Sequence, residues 1–261
     1  MFSIEIECTP DQQDLLIAEL SDENPAGISE IAPGRLRVFF EADRDRAALI
    51  ERFHACGSRE EEERDWVALS RANWEPLAVG RRFFLVPEWR DDPAPGGRFR
   101  IVVNPGMAFG TGIHETTRLC LEGLEEWIRP GEPMLDVGTG SGILAEAAAL
   151  LGASTVWACD VDPVAVEIAR ANAGPAVFVG SVDAVRTRSA GVICANISPE
   201  AILQLAGDLV RCLDFDGIVL ASGFERHEAA AIESAFAYHG AKVRGADFKN
   251  RWALLALGRV E

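Results

Sequence analysis

The chain has 261 residues, of which 48% are hydrophobic, and its formal net charge is -16. That length suits one large domain with a small one beside it, and no apolar run approaches the roughly 18 residues of a membrane span. The acidic charge argues against a broad surface for nucleic acid, because phosphates attract basic surfaces.

The six cysteines are scattered through apolar stretches such as VWACD and VICANI, without a Cys-x-x-Cys pair. Free cysteine behaves there as a small core residue, so neither a disulfide framework nor a metal site is expected. The N-terminal stretch MFSIEIECTPDQQ lacks a basic start and a cleavable apolar segment, which is not the pattern of a secretory signal. The chain is therefore expected in the cytoplasm, without membrane contact.

Residues 1–56 combine strand and helix patterns. FSIEIEC predicts a strand, and DQQDLLIAELSD predicts a helix because its apolar residues recur at helical spacing. GISEIAPGRLRVFFEA predicts two strands that turn at Pro33 and Gly34, and DRDRAALIERFHAC predicts a second helix. With a last strand from the charged stretch after Gly57, this order predicts a small α+β domain of the ferredoxin-like kind. The predicted division is this domain at 1–56, a linker at 57–80 and a larger domain at 81–261.

The larger domain alternates strands and helices. DWVALSRANWEPLAVGRRFFLVPEW predicts a helix and then a strand, and RDDPAPGGRF predicts a loop. From RIVVNP onward the strand patterns alternate with helices in the order MLDVG, TVWACD, AVFVG, GVICANI and GIVLASGF. This alternation predicts an α/β fold with a parallel sheet. The last two strands, KVRGADF and RWALLALGR, are too close together for a crossover helix and should form an antiparallel hairpin at one edge.

The segment DVGTGSG, from Asp136 to Gly142, joins a predicted strand to a helix. Glycines at such a junction let the backbone approach a ligand at the carboxyl ends of the strands. The next strand ends at Asp160, where a carboxylate can accept hydrogen bonds from both hydroxyls of a ribose, while Asp162 is better placed to cap the following helix. The G-x-G-x-G spacing differs from the dinucleotide pattern, so an adenosine group is expected without a requirement for NAD.

A third strand, GVICANI, ends at Asn196. Its amide offers an acceptor and a donor to the same cleft. Capping of the helix PEAILQLAGDLV accounts well for Ser198 and less well for Asn196.

These segments give the chain a resemblance to S-adenosylmethionine-dependent methyltransferases with a seven-stranded Rossmann-like sheet. More narrowly, the chain resembles the bacterial ribosomal protein L11 methyltransferase family, from about residue 65 to the end. The matching segments are NPGMAFGTGIHETTRLCL, LDVGTGSGILAEAAALLGA, DVDPVAVEIARAN, ANI and RWALLALGR, with MAFGTGIHETT the most specific. The departures are a short stretch between Asn172 and Ser181, and Ser198 where the family often has Leu or Tyr.

The resemblance implies the cofactor S-adenosylmethionine and methylation of amino groups of ribosomal protein L11, lysine side chains and the N-terminal amine included. It further implies that the small domain recognises this substrate. A monomer without direct nucleic acid binding is expected.

The resemblance also assigns residues. Thr117 would contact the cofactor, Gly138 would line its methionine portion, and Asp160 would hold the ribose. Asn196 would both contact the cofactor and face the reacting centre as the catalytic residue. The other residues expected to bind the cofactor come from the two glycine-rich segments: Phe109, Thr111, Gly112, Asp136 and Gly140. For His114 and Glu115, ordinary helix-start chemistry and a functional role stay open.

Three other functions stay open from the residues alone. Methyltransferases that modify a planar amide or a nucleobase often have Pro-Pro-Tyr or Pro-Pro-Phe directly after this strand-end Asn or Asp, but Ile-Ser-Pro follows Asn196 here. Methylation of a release-factor glutamine or of adenine in RNA is therefore disfavoured, and the lack of a basic stripe also argues against RNA. A nicotinamide-dependent dehydrogenase is disfavoured by the G-x-G-x-G spacing and the closing hairpin. A binding module without catalysis is disfavoured because Thr117, Gly138, Asp160 and Asn196 are all present.

Overall fold

The structure, a computed structural model, forms two compact units, Met1–Trp74 and Glu75–Glu261. It describes residues 1–9, 16, 20, 23, 25, 27–32, 34–42, 44–60, 75–104, 114–173 and 176–260. The helix predicted over 11–22 falls mostly outside these residues, and the helix predicted within DWVALSRANW falls wholly outside them.

The first unit contains a four-stranded antiparallel sheet in the order β2-β3-β1-β4. Its elements are β1 Phe2–Glu7, β2 Gly27–Ala32, β3 Arg35–Phe40, helix α1 Arg46–Arg52 and β4 Gly57–Glu60. Ile4, Val38 and Phe40 are fully buried in its core, and Asp45 caps α1 by accepting two backbone N–H bonds. The strand order is that of the predicted ferredoxin-like domain.

The boundaries of the units differ from the predicted ones. Strand β4 is the last strand predicted after Gly57, and it pairs with β1 and completes the small sheet, although the predicted division had placed its residues in the linker. Its sequence GSRE is charged because most of this edge strand faces solvent, and backbone pairing does not depend on apolar side chains. At the other end of that stretch, β5 belongs to the second unit, so the division falls at Trp74–Glu75 rather than at 56 and 81.

The second unit begins with a three-stranded sheet, β5 Leu77–Val79, β6 Phe83–Pro87 and β7 Phe99–Val103, in which β6 and β7 are parallel. The turn between β5 and β6 is held by Glu125, whose carboxylate accepts from Arg81 N at 2.8 Å and from Arg82 N at 2.7 Å. Gly80, at φ +53°, is needed in this turn, because a Cβ there would lie 2.5 Å from Glu125 Oε1.

The main sheet has seven strands in the order β10-β9-β8-β11-β12-β14-β13. These strands are β8 Pro133–Val137, β9 Thr155–Asp160, β10 Val177–Val179, β11 Ala190–Asn196, β12 Leu213–Glu225, β13 Ala241–Lys249 and β14 Trp252–Arg259. The helices around it are α2 Glu115–Trp127, α3 Ile143–Leu150, α4 Pro163–Ala173, α5 Pro199–Cys212 and α6 Ala229–Tyr238. Short 3-10 turns occupy Pro95–Gly97, Val182–Ala184 and Arg226–Glu228.

The first five strands in this order, β10, β9, β8, β11 and β12, run parallel to one another, and β14 is antiparallel to both of its neighbours, β12 and β13. The predicted seven-stranded sheet with its antiparallel hairpin is therefore confirmed. Within this hairpin, β14 pairs with β12, and β13 forms the edge of the sheet.

Helices cover the central strands on both sides, so these strands are apolar along their length. Leu135, Val137, Ile193 and Ala195 are buried in one core. Four of the six cysteines are buried as expected for small core residues, namely Cys120, Cys159, Cys194 and Cys212. No helix in the described ranges is long and apolar enough to cross a membrane.

Candidate active site

A cavity of about 550 Å³ opens where β8, β9 and β11 end. Because these parallel strands are neighbours, their carboxyl ends bring Gly138, Asp160 and Asn196 together. Gly140 and Thr117 complete the set of predicted site residues that line the cavity. Its size lies in the range of small-molecule sites.

The glycine loop has a backbone that other residues rarely adopt. Gly138, Gly140 and Gly142 have φ values of +71°, +53° and +82°. A Cβ on Gly138 would lie 2.2 Å from Ile197 Cγ2, so a side chain has no room there. The glycines therefore set both the shape of the loop and its close approach to the cavity.

Asp162 caps α4 as the sequence predicts, whereas Asp160 faces the cavity, where its role at the ribose stays a prediction. Asp160 Oδ2 accepts from Gly140 N and Oδ1 accepts from Asp162 N, both at 3.0 Å, and the residue lines the cavity. Asp162 is exposed, and its Oδ1 accepts from Val164 N at 2.8 Å in the first turn of α4. Each Asp160 oxygen keeps a further lone pair, so the carboxylate can still accept hydrogen bonds from a ligand.

Among the described residues predicted to bind the cofactor, Asp136 is the one that does not line the cavity. It was predicted to bind the cofactor, but its side chain is fully buried and is not part of the cavity wall. The Thr139 hydroxyl donates to Asp136 Oδ2 at 2.7 Å. Burial raises the pKa of Asp136 to about 6, against the opposing effect of that hydrogen bond. Side chains alternate along β8, so Asp136 and Val137 point to opposite faces of the strand, and Val137 is the one that lines the cavity.

The side chains of Asn196 and Thr117 are in contact in the part of the cavity wall formed by the end of β11 and the start of α2. The Asn196 Nδ2 donates to Thr117 Oγ1 at 3.4 Å, and Thr117 is 1% exposed. The amide thereby joins the end of β11 to the first turn of α2. Ser198 is the helix cap that the sequence predicts, since its Oγ accepts from Ala201 N at 3.3 Å.

His114 and Glu115 both serve the start of α2. His114 is the N-cap, and its Nδ1 accepts from Thr116 N at 3.4 Å. Glu115 Oε1 accepts from Asn250 Nδ2 at 3.0 Å. The pKa of Glu115 is lowered, first by the hydrogen bond from its own backbone N–H and then by Asn250. Helix-start chemistry accounts for both residues, although His114 also lines the cavity.

Sequence reasoning missed Trp252, Ile197 and Gly223, which also line the cavity. The Trp252 ring packs edge-on to His114 with centroids 4.8 Å apart. The turn between β13 and β14 returns the chain to the end of the sheet where the cavity lies. Because the sequence predicts this hairpin, it could have predicted that Trp252, the first residue of β14, lies near the cavity. Phe109, Thr111 and Gly112 lie outside the described residues, so their roles stay predictions.

The residues present fit an adenosyl cofactor. Val137, Ile143, Leu144 and Leu205 supply apolar wall for a planar ring, and Asp160 supplies a carboxylate acceptor at the end of β9. The crowding at Gly138 keeps the loop free of side chains where a ligand would approach its backbone. Among the described residues, no group of three or more His, Cys, Asp or Glu side chains could hold a metal ion.

Comparisons with known proteins agree with this geometry. The sequence model of the family described as Ribosomal protein L11 methyltransferase (PrmA) matches residues 36–259. A Symbiobacterium thermophilum protein named ribosomal protein L11 methyltransferase is 39% identical over 234 residues, which cover 87% of this chain and 77% of the relative. A protein of the same name from Pelotomaculum thermopropionicum is 38% identical over 209 residues, with coverages of 77% and 68%.

A solved structure is also similar. It is the crystal structure of ribosomal protein L11 methylase from Lactobacillus delbrueckii subsp. bulgaricus, with a TM-score of 0.66 and 31% sequence identity. The match covers 72% of this chain and 99% of that chain.

Proposed function

Because the chain belongs to the ribosomal protein L11 methyltransferase family, we propose that it methylates lysine side chains and the N-terminal amine of ribosomal protein L11. It is an S-adenosylmethionine-dependent protein methyltransferase. The observation that carries the proposal is the meeting of Gly138, Asp160 and Asn196 in one cavity at the strand ends.

S-adenosylmethionine, when bound, supplies a methyl group activated on a sulfonium. We assign Asp160 to the ribose, because its carboxylate is fixed by two backbone N–H groups and retains acceptor capacity. The glycine loop leads into the start of α3, whose positive dipole end favours a carboxylate.

Asn196 acts on the incoming amine in this proposal. Its Nδ2 is directed to Thr117, which leaves the Oδ1 carbonyl oxygen as an acceptor for an amine N–H. A lysine amine must be neutral to react, and an apolar cavity favours the neutral form by desolvation. The proton therefore leaves before attack, and Asn196 aligns the remaining lone pair.

We further propose that the unit Met1–Trp74 selects the protein substrate. Every candidate cofactor residue lies after residue 100, which leaves this unit without a part in cofactor binding. The net charge of -16 favours encounter with a basic ribosomal protein. The proposal places a monomeric enzyme in the cytoplasm.

The test is incubation of the purified chain with L11 and labelled S-adenosylmethionine, followed by mass spectrometry of the modified residues. We expect label on lysines and on the N-terminal amine. Asp160→Asn should weaken cofactor binding, whereas the matched control Asp162→Asn should leave it nearly unchanged, because Asp162 is exposed and only caps α4. Label on RNA and none on L11 would refute the proposal.

A further inference from the structure

A second cavity, of about 720 Å³, lies at the opposite end of the main sheet from the candidate active site. It forms near the amino ends of β8 and β11, beside the pairing of Ile218 in β12 with Gly258 in β14. We call it the arginine cavity, after four of its wall residues, Arg129, Arg188, Arg244 and Arg259. Trp127, the last residue of α2, and Phe215 also line it.

The charge of this cavity is opposite to that of the chain. Its wall holds four arginines against two acidic residues, Glu132 and Asp216, in a chain with a formal net charge of -16. Clustered positive charge in a concave site raises the local concentration of anions. The expectation of no nucleic acid binding came from the net charge, which excludes a broad basic surface but not one local cavity.

Two of the arginines form a fixed part of the wall. The Arg259 guanidinium donates to Leu213 O at 3.1 Å and also to Val210 O. Arg244 Nη2 donates to Arg259 O at 2.7 Å. Because backbone carbonyls carry no net charge, these bonds position both guanidinium groups without neutralising them.

The other two arginines have capacity for a ligand. The Arg188 guanidinium lies 4.0 Å above the Phe215 ring, and no carboxylate of the described residues is within ion-pair distance of it. The Arg129 side chain is 74% exposed, and its Nη1 lies 3.5 Å from Glu132 Oε1. An ion pair this exposed is weak, so a ligand can replace Glu132.

Arg188 and Phe215 are also placed unusually. Arg188 has φ +51°, a backbone conformation uncommon for residues other than glycine. Phe215 is 62% exposed and is not part of the core. Residues held in uncommon backbone conformations cluster at binding sites.

We propose that the arginine cavity binds a nucleotide unit, with its phosphate on Arg188 and Arg129 and its base against the face of the Phe215 ring that Arg188 leaves open. The planar guanidinium fork matches phosphate oxygens in pairs, and aromatic faces stack with bases of any sequence. An acidic peptide would satisfy the arginines but would leave the Phe215 ring, which has Arg188 over one face, without a planar partner on the other face. The unit comes either from a free nucleotide or from single-stranded RNA.

The test uses the full chain saturated with S-adenosylhomocysteine, so that the first cavity cannot take the nucleoside. The probes are fluorescein-labelled octauridylate, UMP and inorganic phosphate. We expect the labelled RNA or UMP to bind with an affinity that falls as salt rises. Binding of UMP and RNA alike indicates a nucleotide site, and binding of RNA alone indicates a strand site.

The variants distinguish binding in the arginine cavity from nonspecific attraction of the probe to positive charge elsewhere on the surface. Arg188→Gln should weaken binding of the nucleotide probe about tenfold, and Phe215→Ala should do the same through lost stacking. Arg188→Lys should restore part of the loss, and the matched control Arg186→Gln, an exposed neighbour outside the cavity wall, should bind normally. Unchanged binding of S-adenosylhomocysteine by each variant establishes that it is folded.

Three results would overturn the proposal. The first is no binding of either uridine probe, and the second is binding that Arg188→Gln leaves unchanged. The third is inorganic phosphate binding as tightly as UMP with no effect of Phe215→Ala, which would indicate a simple anion site. None of these outcomes depends on methyl transfer.

Discussion

At the residue scale, a hydrogen bond to Thr117 fixes the orientation of the Asn196 side chain. Its amide nitrogen is directed to the buried Thr117 hydroxyl, so the side chain has one orientation relative to α2. Ser198, two residues further on, carries the capping bond of α5. The two residues therefore offer a matched pair for separating chemistry from helix stability.

We expect Asn196→Ala to lower the single-turnover rate of methylation at saturating cofactor by about 10²-fold, the usual effect of removing one aligned polar group. Cofactor affinity should change little, because the contact acts on the amine. Ser198→Ala should keep the rate and lose about 1 kcal/mol of stability with its cap. A normal rate in Asn196→Ala would reduce that residue to a structural role.

Asp136 links stability to pH. Its pKa in the folded chain is about 6 because of burial, against an ordinary value of 3.8. The folded state therefore holds this proton more tightly than the unfolded state. The resulting stabilisation is fully present below pH 3.8 and is lost as pH rises through about 6, with a total effect of about 3 kcal/mol.

Asp136→Asn should remove this dependence while keeping an oxygen that accepts from Thr139. The difference in free energy of unfolding between the variant and the parent should shift in favour of the variant by about 1–2 kcal/mol between pH 5 and pH 8. Denaturant titrations at the two pH values measure it. Glu146, whose pKa burial raises to about 7, is present in both proteins and cancels. A difference that is the same at both pH values would contradict the assignment.

Sequence position predicted some of these residues better than others. Asp160 and Asn196 each end a parallel strand, and strand ends converge whatever the details of packing. Asp136 precedes its strand end by one residue, and alternation turned its side chain away from the cavity. Trp252 was missed because its place depends on where the last hairpin joins the sheet.

At the element scale, Ile197 lies against two glycines, Gly138 in the loop after β8 and Gly223 in β12. A Cβ on Gly138 would meet its Cγ2 methyl at 2.2 Å, and a Cβ on Gly223 would meet its carbonyl oxygen at 2.1 Å. The loops after β8 and β11 and the end of β12 are therefore packed without spare volume around one residue.

We expect Gly138→Ala to lower both stability and cofactor affinity, since φ +71° and the clash with Ile197 act together. Adding Ile197→Ala removes the clashing methyl and should restore part of the affinity. Gly223→Ala should gain nothing from the same second change, because its clash is with backbone. Calorimetric binding of S-adenosylhomocysteine measures all four chains, and equal rescue of both glycine variants would contradict the packing argument.

Element patterns predicted the main sheet well because its strands are apolar and evenly spaced between helices. They also placed the last strand of the small sheet after Gly57, where β4 pairs with β1, although the same residues were assigned to the linker because Arg59 and Glu60 are charged. They also left open which strand of the final hairpin joins β12, since adjacency in sequence does not say which partner faces inward.

At the scale of the whole molecule, the division at Trp74–Glu75 separates the proposed substrate unit from the cofactor unit. A chain that begins at Glu75 should bind S-adenosylhomocysteine with nearly normal affinity, because it keeps every described residue of the candidate active site. It should fail to methylate L11. Calorimetry and the mass spectrometric assay check the two halves of this prediction. Full activity of the shortened chain on intact L11 would show that substrate choice lies elsewhere.

The interior place of β14 has a consequence for how the molecule is made. Synthesis delivers β13 before β14, yet among the described strands β13 pairs only with β14. Until Leu254, Leu255 and Leu257 have emerged, β12 lacks a neighbour on one side and β13 lacks any sheet partner. The edge of β12 therefore stays unpaired until β14 is available, and we expect docking of the hairpin on β12 to be a late, long-range event of the slow kind. In pulse-labelled hydrogen exchange during refolding, the amides of β13 and β14 should gain protection together, in a single phase.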